Sequence, residues 1–226
     1  NPAGPTEPEI KVLHLLREDG DCILFQYTCH PTSVCTYSVS ADFPGAAKRY
    51  LERVFPGSTA IFLQGCCGNI RPNFVEQDGF RTASFAEMEA AGEGLGKAVQ
   101  RALDKAEQVE SRLYGKEIEL KLPLQGNNKE VPFHMQRLDL AEDISLLGLE
   151  GEICVEYALG WKEQSNNRVW PVAYTGGVVG YIPVAQDFAE GGYEPEFSWP
   201  VFSLPAPFSP KIEQIIKEHA DAIMGF

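Results

Sequence analysis

Residues 22–64 set the first limit on what this chain can fold into. The stretch "CILFQYTC" (22–29) is a short apolar run of the kind that makes a largely buried strand. "PGAAKRYLERVF" (44–55) follows, with Ala47, Tyr50, Leu51 and Val54 forming an apolar stripe at helical spacing. Pro44 suits the first turn of that helix, and Asp42 stands where it can cap it. "TAIFLQ" (59–64) is another short buried strand. Strand, helix and strand in this order point to an α/β architecture.

The rest of the chain fits the same class. Residues 1–8 are a proline-rich lead-in, and 9–16 read as a strand that turns through 18–21 into the strand at 22–29. A long helix is expected at 84–108. Ser84 and Glu87 form a capping-box pattern at its start, and Leu95, Val99 and Leu103 mark its inner face. Glycines 92, 94 and 96 interrupt this helix and allow a neighbouring backbone to come close. Residues 112–124 alternate as a half-solvated strand, and 125–130 form a loop. A buried strand is expected at 144–151, a helix at 152–164 and a strand at 169–177. A loop-rich segment covers 180–196, and a last amphipathic helix runs over 209–223. With no internal repeat and no linker, residues 1–226 read as a single α/β domain. Its expected form is mixed sheets flanked by helices, a layered α/β hydrolase-type arrangement.

Charge narrows the function. The chain has 19 Lys and Arg against 32 Asp and Glu, a net charge of −13, which argues against nucleic acid as a partner. There is no apolar run of the length that crosses a bilayer, so no transmembrane segment is expected. Six cysteines in 226 residues are too sparse for a disulfide scaffold, and adjacent Cys66 and Cys67 would bridge only with strain. The thiols therefore read as mostly reduced.

Several chemically capable residues fall just after expected strands, where sites gather in open α/β sheets. His30 follows the strand at 22–29, Glu152 follows 144–149, and Tyr181 follows the strand near 169–175. A histidine, a carboxylate and a phenol meeting at one edge would suit a zinc ion. Each also has a plain structural reading: a satisfied histidine at a strand end, a carboxylate at a helix start, and a half-buried packing tyrosine. The glycine-containing turn "QGCCGNIRPN" (64–73) lies after the strand at 59–64. Its backbone N–H groups can face an anion or oxyanion, but it lacks the phosphate-loop lysine and the dinucleotide spacing. A cysteine nucleophile, Cys66 or Cys67 with His30 as base, is the other chemical reading. Buried packing of the two thiols is the plain one.

Taken in order, "CHPTSV" (29–34), "SADFPGAAKRYLE" (40–52), "FLQGCCGNIRPN" (62–73), "GLEGE" (148–152) and "GYIPVAQDFAEGGYE" (180–194) resemble the neutral/alkaline non-lysosomal ceramidase family, and within it the short bacterial ceramidase-like members. The resemblance implies a zinc amidohydrolase acting on a small-molecule or lipid-like amide. It implies His30, Glu152 and Tyr181 as metal ligands; Asp42 is the candidate for a group that fixes the ring of His30. It also implies a further zinc histidine from an upstream segment, so the chain corresponds to the C-terminal part of the family's catalytic domain. One departure touches the catalytic loop. Where the family carries an aspartate and a serine, this chain has Asn69 and Arg71 in "GNIRPN", after Gly68. Arginine cannot serve as the nucleophile. The expected chemistry is therefore hydrolysis by metal-activated water, with Gly68, Asn69 and Arg71 at the catalytic loop. Arg71 would bind a substrate carboxylate or phosphate, or a developing oxyanion, unless it is only a structural ion pair. A non-catalytic binding domain that has lost the serine is the alternative.

Overall fold

In the computed structural model, which describes residues 4–76, 79–126 and 128–226, the chain begins with an antiparallel pair. β1 (Lys11–Leu15) pairs with β2 (Cys22–Tyr27), with Leu13 opposite Leu24. The helix α1 (Asp42–Val54) then crosses over to β3 (Thr59–Gln64), which lies parallel to β2 with Phe62 opposite Phe25. The resulting three-stranded sheet has the order β1-β2-β3. A two-residue ribbon, β4 (Val75–Glu76) with β5 (Gly79–Phe80), precedes the long helix α2 (Phe85–Leu103). Ile23, Phe25, Leu51, Ala47, Ala60 and Val99 are fully buried and join the two helices to the sheet. Burying an aliphatic or aromatic side chain of this size contributes about 1.5–3 kcal/mol. Chain contacts group Pro8–Gln64 and Ile70–Gln108 into one unit.

The other unit gathers Gly65–Asn69, Val109–Phe226 and the segment ending at Glu7. Its main sheet has the order β10-β8-β7-β6, built from β6 (Ser111–Pro123), β7 (Glu130–Ala141), β8 (Ile144–Leu149) and β10 (Val169–Val172). The first three are antiparallel neighbours and β10 runs parallel to β8. A separate two-stranded pair joins β9 (Glu152–Ile153) in parallel to β11 (Tyr181–Ile182). The helix α3 (Val155–Gln164) follows β9, and α4 (Ala185–Glu190) follows β11. A π-turn at Tyr193–Phe197 and a 3-10 turn at Trp199–Phe202 lead towards α5 (Ile212–Met224). Phe133, Met135, Leu147 and Leu149 from the sheet, Tyr157 and Trp161 from α3, and Ile212 and Ile216 from α5 share one core. Arg137 of β7 ties down the end of α5, donating from Nη1 to the carbonyls of Ile223 and Met224 at 3.1 and 2.7 Å. Mixed sheets flanked by helices are thus the observed class.

The differences from the sequence reading have local causes. Residues 130–141, given no element from sequence, form β7. Pro132 within it and the polar residues His134, Gln136 and Arg137 blur the alternation that would announce a strand. Glu152 does not start the following helix, because pairing with Tyr181 draws it into β9 and α3 begins three residues later. Residues 180–196, read as loop, contain β11 and α4. The strand expected to run to 177 stops at Val172, and Tyr174 turns the chain with φ 62°. The lead-in's first three residues and Asn127 of the expected 125–130 loop lie outside the described residues. All six cysteines are free thiols.

The expected capping box at α2 is present. Ser84 accepts from the Glu87 N–H, and Glu87 accepts from the Ser84 N–H at 2.8 Å. Arg81 also binds Glu87, and these bonds hold its carboxyl down at about 2. The three glycines of α2 divide by role. A Cβ on Gly92 would lie 2.5 Å from the Phe43 carbonyl and strike the Ala46 methyl of α1, and one on Gly96 would meet the Tyr50 ring at 2.7 Å. Gly94 faces open space. The helix crossing thus needs the first two glycines and not the third. Gly92→Ala is expected to destabilise by about 2 kcal/mol through overpacking. Gly94→Ala is expected to stabilise by about 0.5–1 kcal/mol through helix propensity. Denaturant unfolding of both variants checks this, and a shift of equal sign in the two would contradict the crossing geometry.

Candidate metal centre

His30 stands three residues beyond the end of β2, and its backbone and ring are held by one group. Its backbone N–H donates to the Ile70 carbonyl at 3.0 Å, and its Nδ1 lies 2.9 Å from the same oxygen. A carbonyl only accepts, so Nδ1 must carry the proton. That fixes the tautomer whose Nε2 bears a lone pair, the state a ligating imidazole needs. Asp42 does different work. Its buried carboxylate accepts from the N–H groups of Ser33 (3.0 Å), Val34 (3.2 Å) and Phe43 (2.8 Å). It therefore shapes the segment after His30, and its own backbone is left-handed with φ 50°. The contact on the His30 ring that sequence reasoning sought from Asp42 comes from the main chain at Ile70. A main-chain partner 40 residues away carries no side-chain signature in sequence.

Glu152 and Tyr181 are brought together. They are register partners in the β9–β11 pair, and the Tyr181 hydroxyl hydrogen-bonds the Glu152 carboxylate. The Glu152 N–H donates to the Gly180 carbonyl at 2.9 Å, which closes the pairing. The Tyr181 ring packs edge-on against Tyr193 and Phe202, at 5.5 and 5.9 Å between centroids, and these contacts fix its direction. Tyr174 is a partner that sequence reasoning missed. Its hydroxyl donates to Glu152 Oε2 at 3.2 Å and lies 3.6 Å from the Cys67 sulfur. Its left-handed backbone at the end of a strand had no cue stronger than the glycines that follow. Burial raises the pKa of both phenols, and the neighbouring Glu152 carboxylate raises them further. Both are therefore neutral donors to one carboxylate.

The loop at 65–69 supports this pair from below. The Gly68 N–H donates to the Ile153 carbonyl at 2.7 Å, and a Cβ on Gly68 would lie 2.6 Å from the Glu152 carbonyl oxygen. Glycine is thus required for close approach to β9, and its N–H is committed to that strand. Asn69 caps α3 from outside the helix. Its Oδ1 accepts from the Val155 N–H at 2.9 Å, and its Nδ2 donates to the Glu156 carboxylate at 2.9 and 3.0 Å. Cys154, the residue at the N-cap position, gives no side-chain cap. Cys66 and Cys67 are fully buried in the packing. Arg71 is exposed, with its guanidinium stacked 4.2 Å from the centre of the Phe80 ring. No carboxylate pairs with it among the described residues. His134, which had no role from sequence, sits against Glu150, with Nδ1 to Oε2 at 2.7 Å, and this bond raises its pKa.

His30 offers a nitrogen in one unit and the Glu152–Tyr181 pair two oxygens in the other, donor types that zinc accepts. A further group, Cys154, Glu156 and Asp187, has ligand atoms within 4.8 Å of one another.

The Asn69 contacts lead to a test. Asn69→Ala removes a cap and is expected to cost about 1–2 kcal/mol of unfolding free energy at any pH. Asn69→Asp keeps the acceptor for Val155 but sets a carboxylate against Glu156. Repulsion raises the folded-state pKa of the new group, so its penalty is absent at low pH. The penalty should grow as pH rises from about 4. Unfolding midpoints for the two variants between acidic and neutral pH check this, and a pH-independent Asp variant would contradict it.

No protein-family model matches the chain, and no curated protein matches its sequence. In structure it is similar to the neutral ceramidase from Pseudomonas aeruginosa, with TM-score 0.66 and 16% identity over 84% of this chain. The match covers 43% of the ceramidase chain, so this sequence spans less than half the length of that enzyme. Across the matched region the chain has a neutral-ceramidase-like fold.

Proposed function

We propose that this chain is part of a zinc-dependent, ceramidase-like hydrolase of an amide-type bond, with His30, Glu152 and Tyr181 as metal ligands. The observation that carries the reading is the pre-set donor state: the Ile70 carbonyl holds His30 as the Nδ1–H tautomer, while Tyr181 and Glu152 are paired across β9 and β11. The neutral-ceramidase-like fold supports it. A bound zinc ion in such a site polarises a carbonyl and makes water a nucleophile near neutral pH.

The chain's own residues have separable tasks. Tyr174 orients Glu152 by donating to Oε2, which leaves the carboxylate's direction fixed before any ligand arrives. Tyr181 is a protonated donor in the described state, and ligation requires it to give up that proton. Gly68 and Asn69 are positioning residues: one lets the loop touch β9, and the other fixes the start of α3. Neither is free to act as the nucleophile that the family's serine would supply. Arg71 is the group suited to an anionic part of the substrate, because stacking on Phe80 occupies the face of the guanidinium and leaves its edge donors directed outward. A further histidine, from a segment outside this sequence, completes the metal set in this reading.

Zinc titration tests the ligand set. His30→Ala and Glu152→Gln should each weaken zinc binding by more than the ~10–100-fold typical of losing an outer partner. At the site containing His30, residues 1–226 alone should bind zinc weakly, and protein extended upstream to include a further histidine should bind it tightly there. Tight stoichiometric binding by residues 1–226 that His30→Ala abolishes would contradict the incomplete set.

Arg71→Lys separates substrate contact from a structural role. The variant should raise KM several-fold for an amide bearing a carboxylate or phosphate and leave the unfolding midpoint nearly unchanged. A cation–π contact at an exposed site contributes only about 0.5–1 kcal/mol. An altered midpoint with unchanged KM would assign Arg71 to structure.

A further inference from the structure

The start of α3 holds a group of side chains that the proposed hydrolytic site does not use. Cys154 is fully buried, and its thiol has no hydrogen-bond partner among the described residues. Its sulfur, one oxygen of Glu156 and one oxygen of Asp187 lie within 4.8 Å of one another. The carboxylates have local partners that explain part of their placement. Asp187 Oδ2 accepts from the Val184 N–H at 2.8 Å at the start of α4, and Glu156 accepts from the Asn69 amide. Those contacts do not explain a buried thiol facing both. No Lys, Arg or His pairs with Glu156 or Asp187 among the described residues. The charged groups that bear on Asp187 are carboxylates: Glu156, Glu194 and Glu190. Two half-buried carboxylates with no counter-charge and a thiol between them form an uncompensated acidic corner.

We propose that Cys154, Glu156 and Asp187 bind a thiophilic divalent cation of the zinc–cadmium class, at a site that shares no ligand with His30, Glu152 and Tyr181. Sulfur with two carboxylate oxygens suits such a cation and disfavours calcium or magnesium, which take oxygen ligands. On binding, the Cys154 S–H bond breaks, its electron pair forms the sulfur–metal bond, and one proton leaves to solvent. The fourth position falls to water. Cys154 follows β9 and Asp187 follows β11, so the ion would join the two chain segments that carry Glu152 and Tyr181. It would act as a staple for that pair and would not touch substrate.

Cadmium is the probe, added to the 226-residue protein in a Cys35→Ser background because Cys35 is the exposed thiol. One equivalent should produce the ultraviolet thiolate-to-cadmium charge-transfer band, release one proton and raise the unfolding midpoint. Cys154→Ala should remove the band. Asp187→Asn keeps an acceptor for the Val184 N–H and so preserves the helix start, and it should weaken cadmium binding at least tenfold. His30→Ala should leave band and affinity unchanged. No band in the parent protein, a band that survives Cys154→Ala, or full affinity in Asp187→Asn would each overturn the site. Loss of the band with His30→Ala would also overturn it, because the sulfur would then belong to the other ligand set.

Discussion

The two-residue parallel pairing of β9 with β11 is the constraint on which the candidate centre depends. It sets Glu152 beside Tyr181, and it does so with very few backbone bonds: Glu152 N–H to Gly180, and Cys154 N–H to Ile182 at 3.2 Å. So short a pair has little stability of its own. Its support comes from side contacts. Gly68 presses against β9 with no Cβ between, Asn69 fixes the helix that leaves β9, and the buried residues Ile153 and Ile182 anchor both strands in the core. Two residues of the turn that looks from sequence like a catalytic loop, Gly68 and Asn69, brace this pair in the structure.

Electrostatics then decides what the pair can do. Two phenols, Tyr174 and Tyr181, converge on one carboxylate and both are kept neutral by burial and by that carboxylate's charge. The arrangement is complete without an ion, since each hydroxyl has an acceptor. A divalent cation would change the balance by favouring the phenolate of Tyr181 over the phenol, as cations do for coordinated oxygen acids. The same logic accounts for Asn69. An aspartate there would meet Glu156 in a chain of net charge −13, whereas the amide both accepts from Val155 and donates to Glu156.

Much of the fold is legible in the sequence because it rests on local patterns. The strand at β2, the crossover helix α1, the strand at β3, the Ser84–Glu87 box and the amphipathic α5 each announce themselves over fewer than about 15 residues. The sheet partner β7 is not legible, because Pro132 and a run of polar residues break its alternation. The candidate residues His30, Glu152 and Tyr181 stand out by position and by motif resemblance. What holds them does not: a main-chain oxygen at Ile70, a cap reaching Val155 from Asn69, and a tyrosine at residue 174 on a left-handed turn. Those contacts span 22 to 86 residues of sequence, and nothing in their composition pairs them. Asp42 shows the opposite error. Its position near His30 in sequence invites a role on the ring, but its three N–H partners lie in the backbone around it.

The most direct test is the ring nitrogen spectrum of His30, read by long-range proton–nitrogen correlation with and without zinc. In the metal-free protein the neutral ring should carry its proton on Nδ1, and zinc should shift the Nε2 resonance while the Nδ1 proton stays in place. A proton on Nε2 in the metal-free state, or an Nε2 resonance that does not respond to zinc, would contradict the assignment of His30 as a pre-set metal ligand.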